Sequence, residues 1–154
     1  MRRFVTKVLM FVLTLGILVP AQFFAYEISV TIDGEPVDFV GQGPTIVDGR
    51  ALVPVRGVFE GLGFEVEWNQ ETLTVALTDD NFEIIIIIGS NYFTTNGIEH
   101  RLDVPAQILY DRTLLPIRAV LESVGIEVGW DGSTNTVTIS SLPIILPLPD
   151  DFFE

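Results

Sequence analysis

Slid along itself by 62 residues, the sequence aligns positions 45–78 with 107–140 without a gap, and 14 of the 34 pairs are identical. Composition alone gives roughly two. A duplication of this length constrains the fold more than any single motif, because the two segments must satisfy the same local rules. The shared positions are Arg50, Leu52, Pro54, Arg56, Val58, Glu60, Gly63, Glu65, Val66 and Trp68 in the first segment. Their counterparts are Arg112, Leu114, Pro116, Arg118, Val120, Glu122, Gly125, Glu127, Val128 and Trp130.

Both segments read the same way. Pro54 and Pro116 suit a first helical turn, where the missing N–H would have had no partner. After them Val55, Val58, Phe59 and Leu62, and likewise Ile117, Val120, Leu121 and Val124, recur at helical spacing and form one apolar stripe on a short helix. Gly63 and Gly125 stand where a helix ends in the left-handed conformation. The period then changes to two, with Phe64, Val66 and Trp68, or Ile126, Val128 and Trp130, on one face of a half-buried strand. Polar turns lead back into a second strand over 74–77 and 136–139. Asp33-Gly34 and Asn96-Gly97 mark further hairpins upstream of each segment. Between the segments, residues 82–88 include five consecutive isoleucines, which predicts a central strand buried on both faces. The expected fold is α+β: an antiparallel β-sheet module with two short helices, built from a duplicated hairpin–helix–hairpin motif.

The flanks have a different character. Arg2, Arg3 and Lys7 precede an unbroken apolar and small-residue run over 8–19, and Pro20 ends it. That is the pattern of an export signal, and twelve residues fall short of the ~20 that a membrane-spanning helix needs. Ala21 and Ala25 both suit cleavage, so residues 1–25 are read as a signal peptide, with an uncleaved anchor as the alternative. In that case alone would the chain touch a membrane. Residues 142–154 hold Pro143, Pro147 and Pro149 among apolar residues and end in acids, an extended Pro-rich acidic tail. The domain between them is expected over 26–141. Removing residues 1–25, which carry three positive charges and no acid, takes the net charge from −13 to −16. An excess of acid this large repels nucleic acid and anionic lipid. The absence of cysteine excludes disulfides and thiolate metal sites.

The string from Ile46 to Trp68, with Asp48-Gly49-Arg50, Leu52-Val53-Pro54-Val55-Arg56 and Glu60 through Gly63, resembles the copper amine oxidase N-terminal-like domain, or stalk domain. So does the run from Asp111-Arg112 through Pro116-Ile117-Arg118 to Trp130-Asp131, and so does Ile88-Gly89-Ser90 leading to Asn96-Gly97. The resemblance implies an α+β module of secreted and surface proteins of Gram-positive-type bacteria, often appended to other domains. It does not imply the oxidase reaction, whose copper and tyrosine-derived quinone belong to a separate, larger domain. His100 is the only histidine, too few for a three-imidazole copper site. Asn91-Tyr92 is followed by Phe93 rather than by the acid of a quinone precursor. No catalytic, cofactor or metal-binding residue is carried over.

The remaining candidates have competing readings. Arg56 with Glu60, and Arg118 with Glu122, are four apart on a helix and can pair, tying helix to strand; an anion or carboxylate site is the other reading. Arg50 and Arg112 are expected to orient the loop before each helix. Trp68 and Trp130 are in phase with the core residues, so burial is favoured over stacking on a sugar ring. His100 reads as an exposed histidine on a polar strand face. Asp79-Asp80, Asp103 and Glu65 with Glu67 have no spacing that singles them out as hydrolytic carboxylates, and 131–135 lacks the ligand period of a calcium loop. The reading is a non-catalytic extracytoplasmic stalk, scaffold or binding module, secreted or at the cell surface, without cofactor. Its expected partner is an extracellular protein or a cell-wall component. The alternatives are a glycan-binding module using exposed tryptophans and a small hydrolase using two carboxylates.

Overall fold

The computed structural model describes residues 27–141. Strand β1 (Ser29–Ile32) turns through Asp33 and Gly34 into the two-residue β2 (Glu35–Pro36). The hairpin β3 (Thr45–Val47) and β4 (Arg50–Pro54) runs directly into helix α1 (Val55–Phe59), which is followed by the hairpin β5 (Glu65–Asn69) and β6 (Thr74–Thr78). Strand β7 (Glu83–Ile87) leads to the hairpin β8 (Tyr92–Thr95) and β9 (Ile98–Arg101). Next come β10 (Gln107–Leu109), β11 (Arg112–Pro116), helix α2 (Ile117–Glu122), β12 (Glu127–Asp131) and β13 (Thr136–Ser140). The architecture is α+β: three mostly antiparallel sheets and two short helices.

The sheets have strand orders β12-β13-β1-β2, β10-β11-β4-β3 and β5-β6-β7-β8-β9. The one parallel pair among these ladders is β1 with β13, from Ser29 opposite Thr136 to Ile32 opposite Ile139. In the middle sheet β4 and β11 pair antiparallel, with Pro54 opposite Leu114, Val53 opposite Leu115 and Leu52 opposite Pro116. Both faces of that pair are covered. Val53 and Leu115 join the main core, while Leu52 and Leu114 pack with Val104 in a smaller one. This explains why both strands are continuous apolar runs.

One main core takes side chains from every sheet and both helices, among them Val30, Phe59, Leu77, Ile86, Leu115, Leu121 and Ile139. Each helix buries three residues of its predicted stripe, Val55, Val58 and Phe59 in one and Ile117, Val120 and Leu121 in the other, while the fourth, Leu62 or Val124, lies past the helix end and is half-buried. Each also ends in the same double bond. Phe64 N–H donates to the Phe59 carbonyl and Gly63 N–H to that of Glu60, at 2.9 and 3.1 Å. Ile126 and Gly125 do the same to Leu121 and Glu122, both at 3.1 Å. With φ of +89° at Gly63 and +81° at Gly125, these are Schellman caps. The Phe59 and Phe64 rings meet edge to face at 5.6 Å, the apolar contact that accompanies such a cap.

The fold corrects two local expectations. Pro54 and Pro116 are not in the first helical turn; each is the last residue of a buried strand and the N-cap of the helix that follows. The strand thus passes into the helix with no loop between them. The isoleucine run is central in its five-stranded sheet but is covered on one face only: Ile84 and Ile86 are fully buried, Ile85 is half-buried and Ile87 is exposed. Among the described residues no further layer covers the other face of that sheet, so the strand alternates despite its uniform sequence. The expected tail and signal peptide lie outside the described residues.

Candidate functional site

The two arginine-bearing hairpins place their functional groups through their turns. Asp48 and Gly49 have φ of 48° and 74°, and Tyr110 and Asp111 have φ of 48° and 58°. Two successive left-handed residues make the tight turn that matches strand twist. They bring Arg50 and Arg112 to the first position of β4 and β11. Arg50 donates through Nε and Nη2 to Asp103 Oδ2 at 2.9 and 2.6 Å. Arg112 Nη2 donates to the Val40 carbonyl at 3.2 Å. The arrangement is crossed. Asp103 lies in the stretch entering the β10–β11 hairpin and Val40 in the stretch entering β3–β4, so each hairpin's arginine holds the approach to the other hairpin.

Two clefts follow from this crossing. The first, of about 510 Å³, is lined by Arg50 and Ile46 from the β3–β4 hairpin, by Arg118 and Glu122 from α2, by Val128 and Trp130 from β12, and by Arg101 and Asp103. The second, of about 700 Å³, is lined by Arg112 and Ile108 from the β10–β11 hairpin, by Arg56 and Glu60 from α1, by Val66 and Trp68 from β5, and by Asp38, Phe39, Glu67 and Asp111. Arg50, Arg118, Glu122 and Trp130 of the first cleft match Arg112, Arg56, Glu60 and Trp68 of the second at the 62-residue offset. All five arginines of the described residues therefore line one cleft or the other.

The side chains differ from expectation in ways that set the chemistry. Arg118 makes the expected i,i+4 ion pair, its Nε 3.9 Å from Glu122 Oε1 and too far for a hydrogen bond, whereas among the described residues Arg56 makes no ion pair with Glu60. Trp68 is half-buried and its indole N–H donates to Gln70 Oε1 at 3.1 Å. Trp130 is 44% exposed, against the burial its phase predicts; it has the same place in edge strand β12 as Trp68 in edge strand β5, but Gly132, at the place of Gln70, offers its indole no side chain. His100 is half-buried, stacked on Phe93 with ring centroids 5.0 Å apart, rather than exposed. Pro54 and Pro116 line the two clefts, while Gly63 and Gly125 lie away from both.

The acids serve turns. Asp79 Oδ1 accepts the main-chain N–H groups of Asn81 and Phe82. Asp131 Oδ1 accepts the Ser133 hydroxyl at 2.6 Å and the Ser133 N–H at 2.8 Å, and these bonds hold its carboxyl below the ordinary value of 3.8. Asn69 makes the matching turn in the β5–β6 hairpin, accepting from Glu71 and Thr72. Sequence reasoning did not single out Arg101. The 62-residue offset carried upstream of the duplicated segments sets Arg101 against Phe39, so the arginine has no counterpart.

The family model described as the copper amine oxidase N-terminal domain matches residues 31–139, from the first strand to the last. The chain is also similar to a protein named "Protease inhibitor" from Brevibacillus choshinensis, 27% identical over 113 residues. That match takes in 72% of this chain and 34% of the relative, so the chain spans about a third of the relative's length. The domain that gives the family its name is a non-catalytic part of the oxidases. From its first strand to its last, the chain belongs to the copper amine oxidase N-terminal domain family.

Proposed function

We propose that the chain is a non-catalytic extracytoplasmic stalk or binding module, exported through residues 1–25, in which a duplicated hairpin–helix–hairpin unit is interlocked with its own copy. The observation that carries this reading is the use of the motif residues. Arg50 and Arg112 hold chain segments, Gly63 and Gly125 cap helices, and Pro54 and Pro116 pair reciprocally with Leu114 and Leu52. Reciprocal pairing is what a twofold relation between two copies produces. Side chains that build a frame in this way supply rigid clefts rather than a reaction centre. The partner is an extracellular protein or a wall component; the similarity to a protein named a protease inhibitor makes an exported protease one candidate.

Expression of the tagged full chain in a Gram-positive-type host, followed by fractionation and N-terminal sequencing, tests the reading. Mature protein beginning near residue 22 or 26, in the medium or envelope, is expected. Full-length protein confined to the cytoplasm contradicts it.

The exposure of Trp130 favours one second reading, a glycan-binding face. Soluble wall-glycan fragments should then quench or shift Trp130 fluorescence in a Trp68→Phe variant, and an unchanged spectrum removes this reading.

A further inference from the structure

The two clefts are built from matching residues, yet they have diverged in opposite directions. In the second, although it is the larger at about 700 Å³, the chain engages the cleft's own donors. Phe39 lies over the α1 position where Gly57 leaves room, close enough that a Cβ there would meet its ring at 2.8 Å. Arg112 is occupied by the Val40 carbonyl, and the Trp68 N–H by Gln70. Four acids, Asp38, Glu60, Glu67 and Asp111, outnumber its two arginines.

In the first cleft the hairpin arginine is likewise engaged, Arg50 by Asp103, but the aromatic cover over the helix and the acceptor for the indole are missing. Ala119 replaces Gly57, Arg101 replaces Phe39, and Gly132, without a side chain, replaces Gln70. Among the described residues the Arg101 side chain has no hydrogen bond or ion pair, that of Arg118 has only its 3.9 Å ion pair with Glu122, and the Trp130 indole N–H donates to nothing. The acceptors are used: Asp103 is engaged by Arg50, and Glu122 is outnumbered. Three arginines face two acids here, in a described chain where five arginines face eighteen acids. Donors without acceptors, beside an exposed indole, call for an acceptor with an apolar neighbour.

We propose that the first cleft binds a carboxylate carried next to an aromatic or aliphatic side chain on an extended peptide segment of a partner protein. The carboxylate is received by Arg101 and Arg118, whose planar guanidinium groups match its two oxygens. The neighbouring side chain packs on Trp130 and Ile46, both exposed. A peptide is favoured over a sugar acid because β12, which supplies Val128 and Trp130 to the cleft, is an edge strand that an extended segment can lie along. A single carboxylate suits the site better than a run of acids, since the surrounding surface is strongly negative and is screened only beyond a Debye length of ~8 Å at physiological salt. This rests on the binding-module reading above and names the class of partner it takes.

Calorimetric titration of the intact chain with the C-terminally amidated peptide acetyl-Thr-Val-Thr-Phe-Glu, whose one carboxylate is the Glu side chain, and with the same peptide bearing Gln in its place, tests the proposal. The Glu peptide should bind about tenfold or more tighter than the Gln peptide. Arg118→Gln and Arg101→Gln should each erase most of that difference, and Arg56→Gln, in the second cleft, should leave it unchanged. Nitrogen-15 spectra should show the Trp130 indole signal shifting on titration and that of Trp68 staying in place. Equal affinity for the Glu and Gln peptides overturns the proposal, as does an equal loss from Arg56→Gln. Tighter binding of glucuronate than of the Glu peptide, or self-association abolished by Arg118→Gln, assigns the cleft to another occupant and also overturns it. Failure here with export intact leaves the module reading standing, whereas cytoplasmic retention defeats that reading whatever the cleft binds.

Discussion

The glycines show how one residue type can serve opposite ends. Gly63 and Gly125 occupy left-handed positions with open space around them, so an added Cβ meets backbone strain and no neighbour. Gly63→Ala and Gly125→Ala should each lower stability by about 1 kcal/mol or more, read from urea midpoints at equal slopes. Gly57 lies inside α1, where replacing glycine by alanine ordinarily stabilises. Here the added Cβ would fall 2.8 Å from the Phe39 ring, so Gly57→Ala should cost about 1 kcal/mol, and less in a Phe39→Leu background. Asp131 allows a test by pH. Its bonds to Ser133 lower its folded pKa below 3.8, so the stability it adds is fully present above that value and is lost as pH falls through the folded pKa. Asn69 makes the same turn without a charge. Asp131→Asn should therefore keep the turn and remove this part of the acid sensitivity, so the midpoint difference from the parent stays flat above about pH 4 and changes below it.

The strands separate what is local from what is not. The short helices, their glycine caps and the Asp33-Gly34 and Asn96-Gly97 turns were legible in the sequence, because each depends on residues within one or two turns of the chain. The partners of β1 and β4 were not, since nothing in Ser29–Ile32 states that it will run parallel to Thr136–Ser140. For the same reason the isoleucine run misled: its residues are alike, and only the layer packed against the sheet decides which face is buried. Ile86→Ala should cost about 2–5 kcal/mol and Ile87→Thr less than about 0.5, measured by denaturation. Of the cleft residues, Arg50, Arg56, Arg112, Arg118, Glu60, Glu122 and the two tryptophans stood out by their repetition at the 62-residue offset, and Arg101 did not. Their crossed assembly was hidden, because each cleft takes its hairpin from one segment and its helix from the other.

Taken together, these contacts leave neither segment able to complete itself. A chain ending at residue 88 would lack β11, the partner of β4, and β13, the partner of β1. The main core would also lose Leu115, Val120, Leu121 and Ile139. Fragments 27–88 and 89–141 should accordingly give disordered circular dichroism spectra when made apart. The native chain carries a fluorescent reporter in each segment, Trp68 in β5 and Trp130 in β12. Urea unfolding of the single-tryptophan variants Trp130→Phe and Trp68→Phe then asks whether the two segments are one cooperative unit. If the crossed hairpins and shared core hold them as one, each reporter's transition will coincide with that followed by circular dichroism in the same variant, with the same midpoint and slope. A Trp68 transition separated from the backbone transition of its own variant, or a Trp130 transition separated from its own, would mean that the segments fold independently, contrary to the interlocked architecture.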